Sequence, residues 1–289
     1  NIAFNKNRID NLGGVDQIRK ASGWQVGGEE DYIVKVGMPV GQMYGYETAG
    51  WYSLDDFSYA GGVYTLKPNV ASNAVVTGFA PQPGTLKFTD TNGDGVVDTE
   101  DKRIIGDANP KFTGGWNNQF AYGNVDLSVF VNFVVGNDIY NANKIEFTQG
   151  DFPYINMLSI MNGRWKTIDE NGVKVTDPAI LSKLNENATI WQPNRAQRWP
   201  LHTWAIEDGS FLRLSNVTLG YTLPKRLLTA MKISSFRIFG TVNNHATITG
   251  YSGFDPDINT RRSDPLTPGV DFAGYPHSRT WLLGLNITF

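Results

Sequence analysis

The chain has 289 residues, 40% hydrophobic and 18% charged, which suits a folded protein and excludes a disordered one. A net charge of −3 gives no basic footprint for nucleic acid, and the absence of cysteine removes any disulfide framework. Its 31 glycines and 12% aromatic content favour strands and turns, while no window approaches the ~18 apolar residues of a membrane helix.

The chain opens on NIAFNKNRID, inside a strand-like run, so residues 1–8 are expected to finish a strand of a longer protein. A long loop, 9–111, follows. It holds Tyr44, Tyr46, Trp51 and Tyr52. Exposed aromatics of this kind can stack on sugars or grip a partner, and packing within the loop is the favoured, blander account. Near its end, DTNGDGVVDTED (90–101) has the order of a calcium loop. Asp90, Asn92 and Asp94 stand at positions one, three and five, Gly95 at six, Val96 with its carbonyl at seven, and Asp98 at nine. Asp101 takes position twelve, where an EF-hand has a longer Glu, and Glu100 is its competing neighbour. The pattern predicts bound calcium, with magnesium the second choice, because many oxygens on a flexible loop suit calcium. No flanking helices are evident, so the ion's role would be to stiffen a loop. The bland alternative is an acidic turn without metal.

Residues 112–122 put Trp116, Phe120 and Tyr122 on one face and Asn117, Gln119 and Ala121 on the other. Gly123-Asn124 predicts a hairpin turn. Over 125–136, Val125, Leu127, Val129, Val131, Phe133 and Val135 form an apolar row opposite Asp126, Ser128 and Asn132, with Phe130 and Val134 as exceptions. A second long loop spans 137–210. There Tyr154, Leu158, Met161 and Trp165 have helical spacing after Asp151 and Pro153, which predicts a short packed helix. Trp191, Trp199 and Trp204 form a second aromatic set. Glu207 and Asp208, adjacent on a strand, point to opposite faces and make no acid–base pair. With no nucleophile motif or phosphate loop either, no enzyme is expected. His202, His245 and His277 lie far apart, without metal-ligand spacing.

In 211–223 the apolar residues change phase. Leu212 and Leu214 share one parity; Val217, Leu219, Tyr221 and Leu223 share the other. A β-bulge near Ser215 would bring both sets to one face. Pro224 ends this strand, and Lys225–Leu228 form a short amphipathic turn. Residues 233–244 set Phe236, Ile238 and Val242 against Arg237, Thr241 and Asn243. After a third long loop, 245–278, residues 279–289 set Trp281, Leu283, Leu285, Ile287 and Phe289 against Gly284, Asn286 and Thr288.

Strands of this length match the ~9–11 residues of a membrane-spanning β-strand. Short turns at one end and long loops at the other are the outer-membrane pattern, with the short side periplasmic. A secreted calcium-binding β-sandwich that binds carbohydrate is the alternative from another class.

Several stretches resemble the SusC/RagA-type TonB-dependent outer-membrane transporters, in that family's order. They are GMPVGQMYGYETAGWY (37–52), FTDTNGDGVVDTEDKRIIGDANPKFTGGWNNQFAYGNVDLSVFVN (88–132), NGRW (162–165), EDGSFLRLSNVTLGYTLPKRL (207–227), YSGFDPDIN (251–259) and GVDFAGYPHSRTWLLGLNITF (269–289). Asn244-His245-Ala246 departs from the family's Gln-Asn-Leu-like stretch. The resemblance implies an all-β fold, the C-terminal fragment of a 22-stranded transmembrane barrel with long extracellular loops, in the outer membrane of a Gram-negative bacterium. It further implies active import of a bulky nutrient, an oligosaccharide or peptide. A SusD-like surface lipoprotein would close the mouth and TonB would act through an N-terminal plug; plug and remaining strands are absent from 1–289. The apolar rows would meet lipid and the Thr/Gly/Asn face the lumen.

Overall fold

A computed structural model describes every residue except 25–27, 29, 151–153, 194–199, 230–231 and 261–262. The period-two rows become one antiparallel meander of six strands: β1 (Ile2–Ala3), β2 (Phe112–Tyr122), β3 (Val125–Val135), β4 (Phe211–Thr222), β5 (Ser235–Thr249) and β6 (Thr280–Thr288). Of the opening run expected as a strand end, only Ile2 and Ala3 pair, opposite Gly114 and Thr113. Gly123 starts the two-residue β2–β3 turn at φ +59°, a conformation cheap only for glycine.

Register gathers the apolar residues into rows that cross the sheet. One row runs Val129, Val217, Val242 and Trp281; the next runs Leu127, Leu219, Gly240 and Leu283; the next runs Val125, Tyr221, Ile238 and Leu285. None of these residues is buried, and Leu283 is 80% and Trp281 69% exposed. Asn118, opposite Val129, is a polar exception on this face. A β-sandwich would bury these rows under a second sheet, so that alternative is overturned.

The opposite face is mostly polar, with Phe130, Val134, Phe239 and Leu282 among its apolar members, and many of its polar side chains bond to one another. Asn216 donates to Asn243 at 2.8 Å, the hydroxyls of Thr218 and Thr241 meet at 2.8 Å, and Ser215 donates to Asn132. Arg237 reaches over Gly220 to grip Asp126 through two hydrogen bonds of 2.9 and 2.5 Å. A side chain at Gly220 would collide with both partners.

The bulge sits where the phase slips. Val131 pairs with Leu214 and Phe130 with Asn216, leaving Ser215 as the extra residue. β5 answers with a bulge of its own: Leu214 pairs with Ala246 and Asn216 with Asn243, and Asn244 stands at φ +51°. This second bulge interrupts the alternation at 244, yet the strand continues to Thr249, five residues beyond the expected end.

The core of the chain lies in the long connections. Among the described residues of the six strands, Phe211 is the one buried hydrophobic side chain. Trp24, Tyr32 and Met43 from the first loop, Tyr140, Ile145 and Leu201 from the second, and Val270 from the third share one cluster. Asp138–Asn141 pairs with Ile206–Asp208 and with Val270–Asp271, knitting the second loop to the third. The Tyr32 hydroxyl donates to the Pro268 carbonyl at 2.6 Å, knitting first to third.

The helix expected over 154–165 does not form. Asp151 and Pro153 lie outside the described residues, and the 3-10 helix Ser159–Gly163 is the local element. The backbone is instead claimed by 189–190, since the Trp165 N–H donates to Ile190 at 2.8 Å and the Thr189 N–H to Gly163 at 2.8 Å. Met161 and Trp165 are buried, whereas Tyr154 is exposed.

His202 is fully enclosed in the loop core, its Nδ1 2.9 Å from the Thr48 hydroxyl. Burial, reinforced by Lys144, depresses its pKa to about 3. Between the ordinary histidine value of about 6.5 and that figure, only the unfolded loops bind the proton. Loop stability is therefore present in full above about pH 6.5 and falls as pH drops below it. Amide protection of Tyr46 and Thr203 should weaken toward acid, and His202→Gln should flatten the trend; an unchanged trend contradicts this account. Independently, Gly220→Leu should destabilise the sheet by roughly 1–3 kcal/mol through overpacking, read as a lower denaturant midpoint.

Candidate functional site

The acidic loop 90–101 is shaped by its own side chains. Asp90 accepts from Gly93 N–H at 2.6 Å and Gly95 N–H at 2.8 Å. Asn92 accepts from Asp94 N–H at 2.9 Å, Asp94 from Val96 N–H at 2.8 Å, and Asp98 from Glu100 N–H at 2.8 Å. Gly93 and Gly95 hold φ of +78° and +88°, which allows these tight turns. Val97 plants the loop in a second apolar cluster with Phe88 and Tyr46.

Asp101 has a different station from the other candidate ligands. Its side chain is wholly buried, and one oxygen accepts from Thr91 N–H (2.7 Å), the Thr91 hydroxyl (3.0 Å) and Asn92 N–H (3.3 Å). The other accepts from Asp98 N–H at 2.9 Å. Burial pushes its pKa up, but the amides of Asp98 and Thr91, the Thr91 hydroxyl and the Asn92 amide outweigh this and hold it below the ordinary value. Asp101 thus fastens the two ends of the loop together from a buried position. The side-chain oxygens of Asp90, Asn92, Asp94 and Asp98 that accept one hydrogen bond each retain lone pairs for a cation. No cluster of three or more His, Cys, Asp or Glu side chains in metal-holding geometry occurs among the described residues.

The aromatic candidates divide. Tyr46, Tyr52 and Trp191 are not surface residues, because loops this long, without help from the sheet, need large apolar side chains for a core of their own. Tyr46 stacks on Phe88 at 5.2 Å, and the Tyr52 hydroxyl donates to Ala71 at 2.8 Å. Trp191 packs edge-on against Trp204 at 4.9 Å. Tyr44, Trp51 and Trp204 are half-buried. Arg19 lies 5.5 Å from the Tyr44 ring, Lys144 lies 4.2 Å from that of Trp204, and Trp51 packs on Trp165 at 6.3 Å. Trp199 lies outside the described residues. Glu207 accepts from Asn141 and Ser252, and Asp208 from Ser210, so both carboxylates hold loop backbone and side chains in place.

A polar knot at the loop end of β4, buried at Arg213 and Asp255 and open at Asp257 and His277, escapes any spacing rule. The Arg213 guanidinium binds Asp255, lies 3.3 Å from Asp257 and His277, and donates to the Thr247 hydroxyl at 3.1 Å. The His277 N–H donates to Asp255 at 2.9 Å. Burial raises the Asp255 pKa, but the Asp257 and His277 amides, the His277 ring and Arg213 outweigh it and keep the carboxylate low. The third loop is thereby pinned to the sheet. Its sequence signal is only the adjacency of Asp255 and Asp257 in YSGFDPDIN, because the partners come from 42 and 64 residues away.

Comparison with known proteins follows the same lines. The chain is 30% identical over 295 residues to TonB-dependent receptor P3 of Formosa agariphila, covering 100% of this chain and 26% of that protein. It is 26% identical over 206 residues to TonB-dependent receptor SusC of Bacteroides thetaiotaomicron, covering 70% of this chain and 17% of SusC. Among solved structures, a chain of the RagAB peptide importer in its open-open state matches with a TM-score of 0.66 at 19% identity, over 100% of this chain and 26% of that one. The closed-closed state matches equally, at 20% identity. At such identity the structural likeness speaks for the fold. No protein-family model matches the chain. The chain spans about a quarter of the length of the receptors that it matches end to end, 26% for the first. A whole-chain match to named receptors, a shared fold and an antiparallel sheet with an open apolar face together identify the chain as part of the barrel of a SusC/RagA-type TonB-dependent receptor.

Proposed function

We propose that the whole chain, 1–289, is the C-terminal part of a transporter that imports a bulky nutrient, an oligosaccharide or peptide, across the outer membrane of a Gram-negative bacterium. It contributes barrel wall and extracellular loops. The observation that supports this best is the open apolar face spanning β2–β6, opposite a mostly polar face whose side chains bond to one another: a wall between lipid and a wet lumen needs both. No helix among the described residues is long and apolar enough to cross a membrane, so any crossing falls to the strands.

The outer edge of β6 and most of that of β2 have no partner among the described residues. Unpaired backbone groups in hydrocarbon cost several kcal/mol each, so further strands must close the barrel. The resemblance gives a total of 22 strands and an N-terminal plug on which TonB pulls. SusC supports a SusD-like lipoprotein lid seated on the loop end, and the RagAB peptide importer lends weight to peptide as cargo. The knitted loops offer that lid a rigid rim.

Calcium belongs to the same proposal. Asp90, Asn92, Asp94, the Val96 carbonyl and Asp98 would hold it, Asp101 bracing the loop. The ion would neutralise carboxylates crowded on one turn and stiffen the rim.

Val129→Arg should hinder membrane insertion of the full-length protein by roughly 2–4 kcal/mol if it lies near the midplane, read as folded barrel in outer-membrane fractions. Normal insertion would contradict the outward assignment. Calcium added after chelation should protect 90–101 from proteolysis, and Asp90→Asn with Asp94→Asn should abolish the effect; identical cleavage with and without calcium would dispose of the ion.

A further inference from the structure

The strand glycines differ in what covers them. A Cβ on Gly114 would strike the Phe133 ring at 2.4 Å, on Gly284 the Phe239 ring at 2.3 Å, and on Gly220 the Arg237 guanidinium at 2.4 Å. Gly115 lies beneath Phe130, 3.0 Å from such an atom. In each case a neighbour fills the missing side chain's volume. Gly240 breaks the rule: the nearest atom to its Cβ would be the Leu282 carbonyl oxygen, 4.0 Å away.

The vacancy lies in the middle of the apolar face. Gly240 sits in register between Leu219 and Leu283, with Ile238 and Val242 beside it along its own strand. Val217, Leu219, Val242, Trp281 and Leu283 bound a groove of about 450 Å³ around it whose exposed lining is mostly apolar. An apolar socket left empty in a close-packed surface forfeits dispersion contacts, so an occupant from outside the chain gains them.

We infer that the groove at Gly240 seats one acyl chain of a membrane phospholipid, whose phosphate lies toward Lys225 and Arg226. Gly240 is five residues from the turn end of β5, ~17 Å along the strand and ~12–14 Å in depth at the ~35–45° tilt of a spanning strand. Half the hydrocarbon core is ~15 Å, so a chain anchored at the turn-side headgroup level reaches the socket. The β4–β5 connection at that level carries exposed Lys225 and Arg226, cations suited to a phosphate. The inference rests on the outward face meeting lipid.

The test uses the full-length protein, extracted from its membrane in mild detergent and weighed by native mass spectrometry. Wild type is expected to retain one phospholipid per barrel. Gly240→Leu, which fills the socket, should reduce that occupancy at least several-fold while the barrel stays folded by its heat-modifiable mobility on gels. Lys225→Gln with Arg226→Gln should weaken retention, most visibly at high salt. Equal lipid on wild type and Gly240→Leu, no lipid on folded wild type, or an adduct of another mass would overturn the assignment. The underlying reading fails separately: it would show as a wild-type protein that leaves the membrane in buffer without detergent. Should Gly240→Leu not fold, Gly240→Ala and Gly240→Ser provide the series, with occupancy expected to decline as the socket fills.

Discussion

Backbone groups that cross hydrocarbon must be paired within the protein, and the side chains around them must be apolar on the side that meets it. This pairing requirement produces long, regular antiparallel strands, and the apolar requirement turns one whole face away from the chain's own interior. A sheet so built cannot contribute its greasiest side chains to a core. The buried hydrophobic residues accordingly gather in the loops, where Tyr32, Met43, Tyr140, Ile145 and Val270 meet from three separate segments.

That division explains details that otherwise look unrelated. The two bulges, at Ser215 and at Asn244-His245, keep an apolar parity outward after local irregularity: Leu214 and Val217 both face the side of Val129 and Val131. The polar face carries matched ladders, Asn on Asn and Thr on Thr, because amides left unpaired there would pay desolvation wherever they were covered. Arg213 then joins the two halves, anchored on a strand and bonded to the third loop, so that loop motion and wall are mechanically linked.

Legibility in the sequence followed the range of the forces involved. Period-two rows, the Gly123-Asn124 turn and the phase slip at Ser215 are local, and they located β2, β3, β4 and β6 within a residue or two. The continuation of β5 past Asn244 was hidden because a left-handed residue breaks the very alternation used to see a strand. Helical spacing at 154–165 misled, since the long-range claim of Ile190 on Trp165 outweighed it. The acidic loop announced its turns, but the burial of Asp101 depends on Thr91 and Asn92 folding back over it, which spacing alone does not reveal. Tyr46, Tyr52 and Trp191 are buried, as the loop-packing account favoured, but nothing local marks which loop aromatics form the core and which stay half-open like Tyr44.

The central claim is that one face of this sheet meets lipid, with the Ser215 bulge keeping it there. Spin labels placed one at a time along 211–222 of the full-length protein in bilayers, read for collision with dissolved oxygen, test it most directly. The account predicts high oxygen access at 212 and 214, then at 217, 219 and 221, with low access at 213, 216, 218 and 220. Access that alternates without a change of phase, or that favours the polar set, would contradict it.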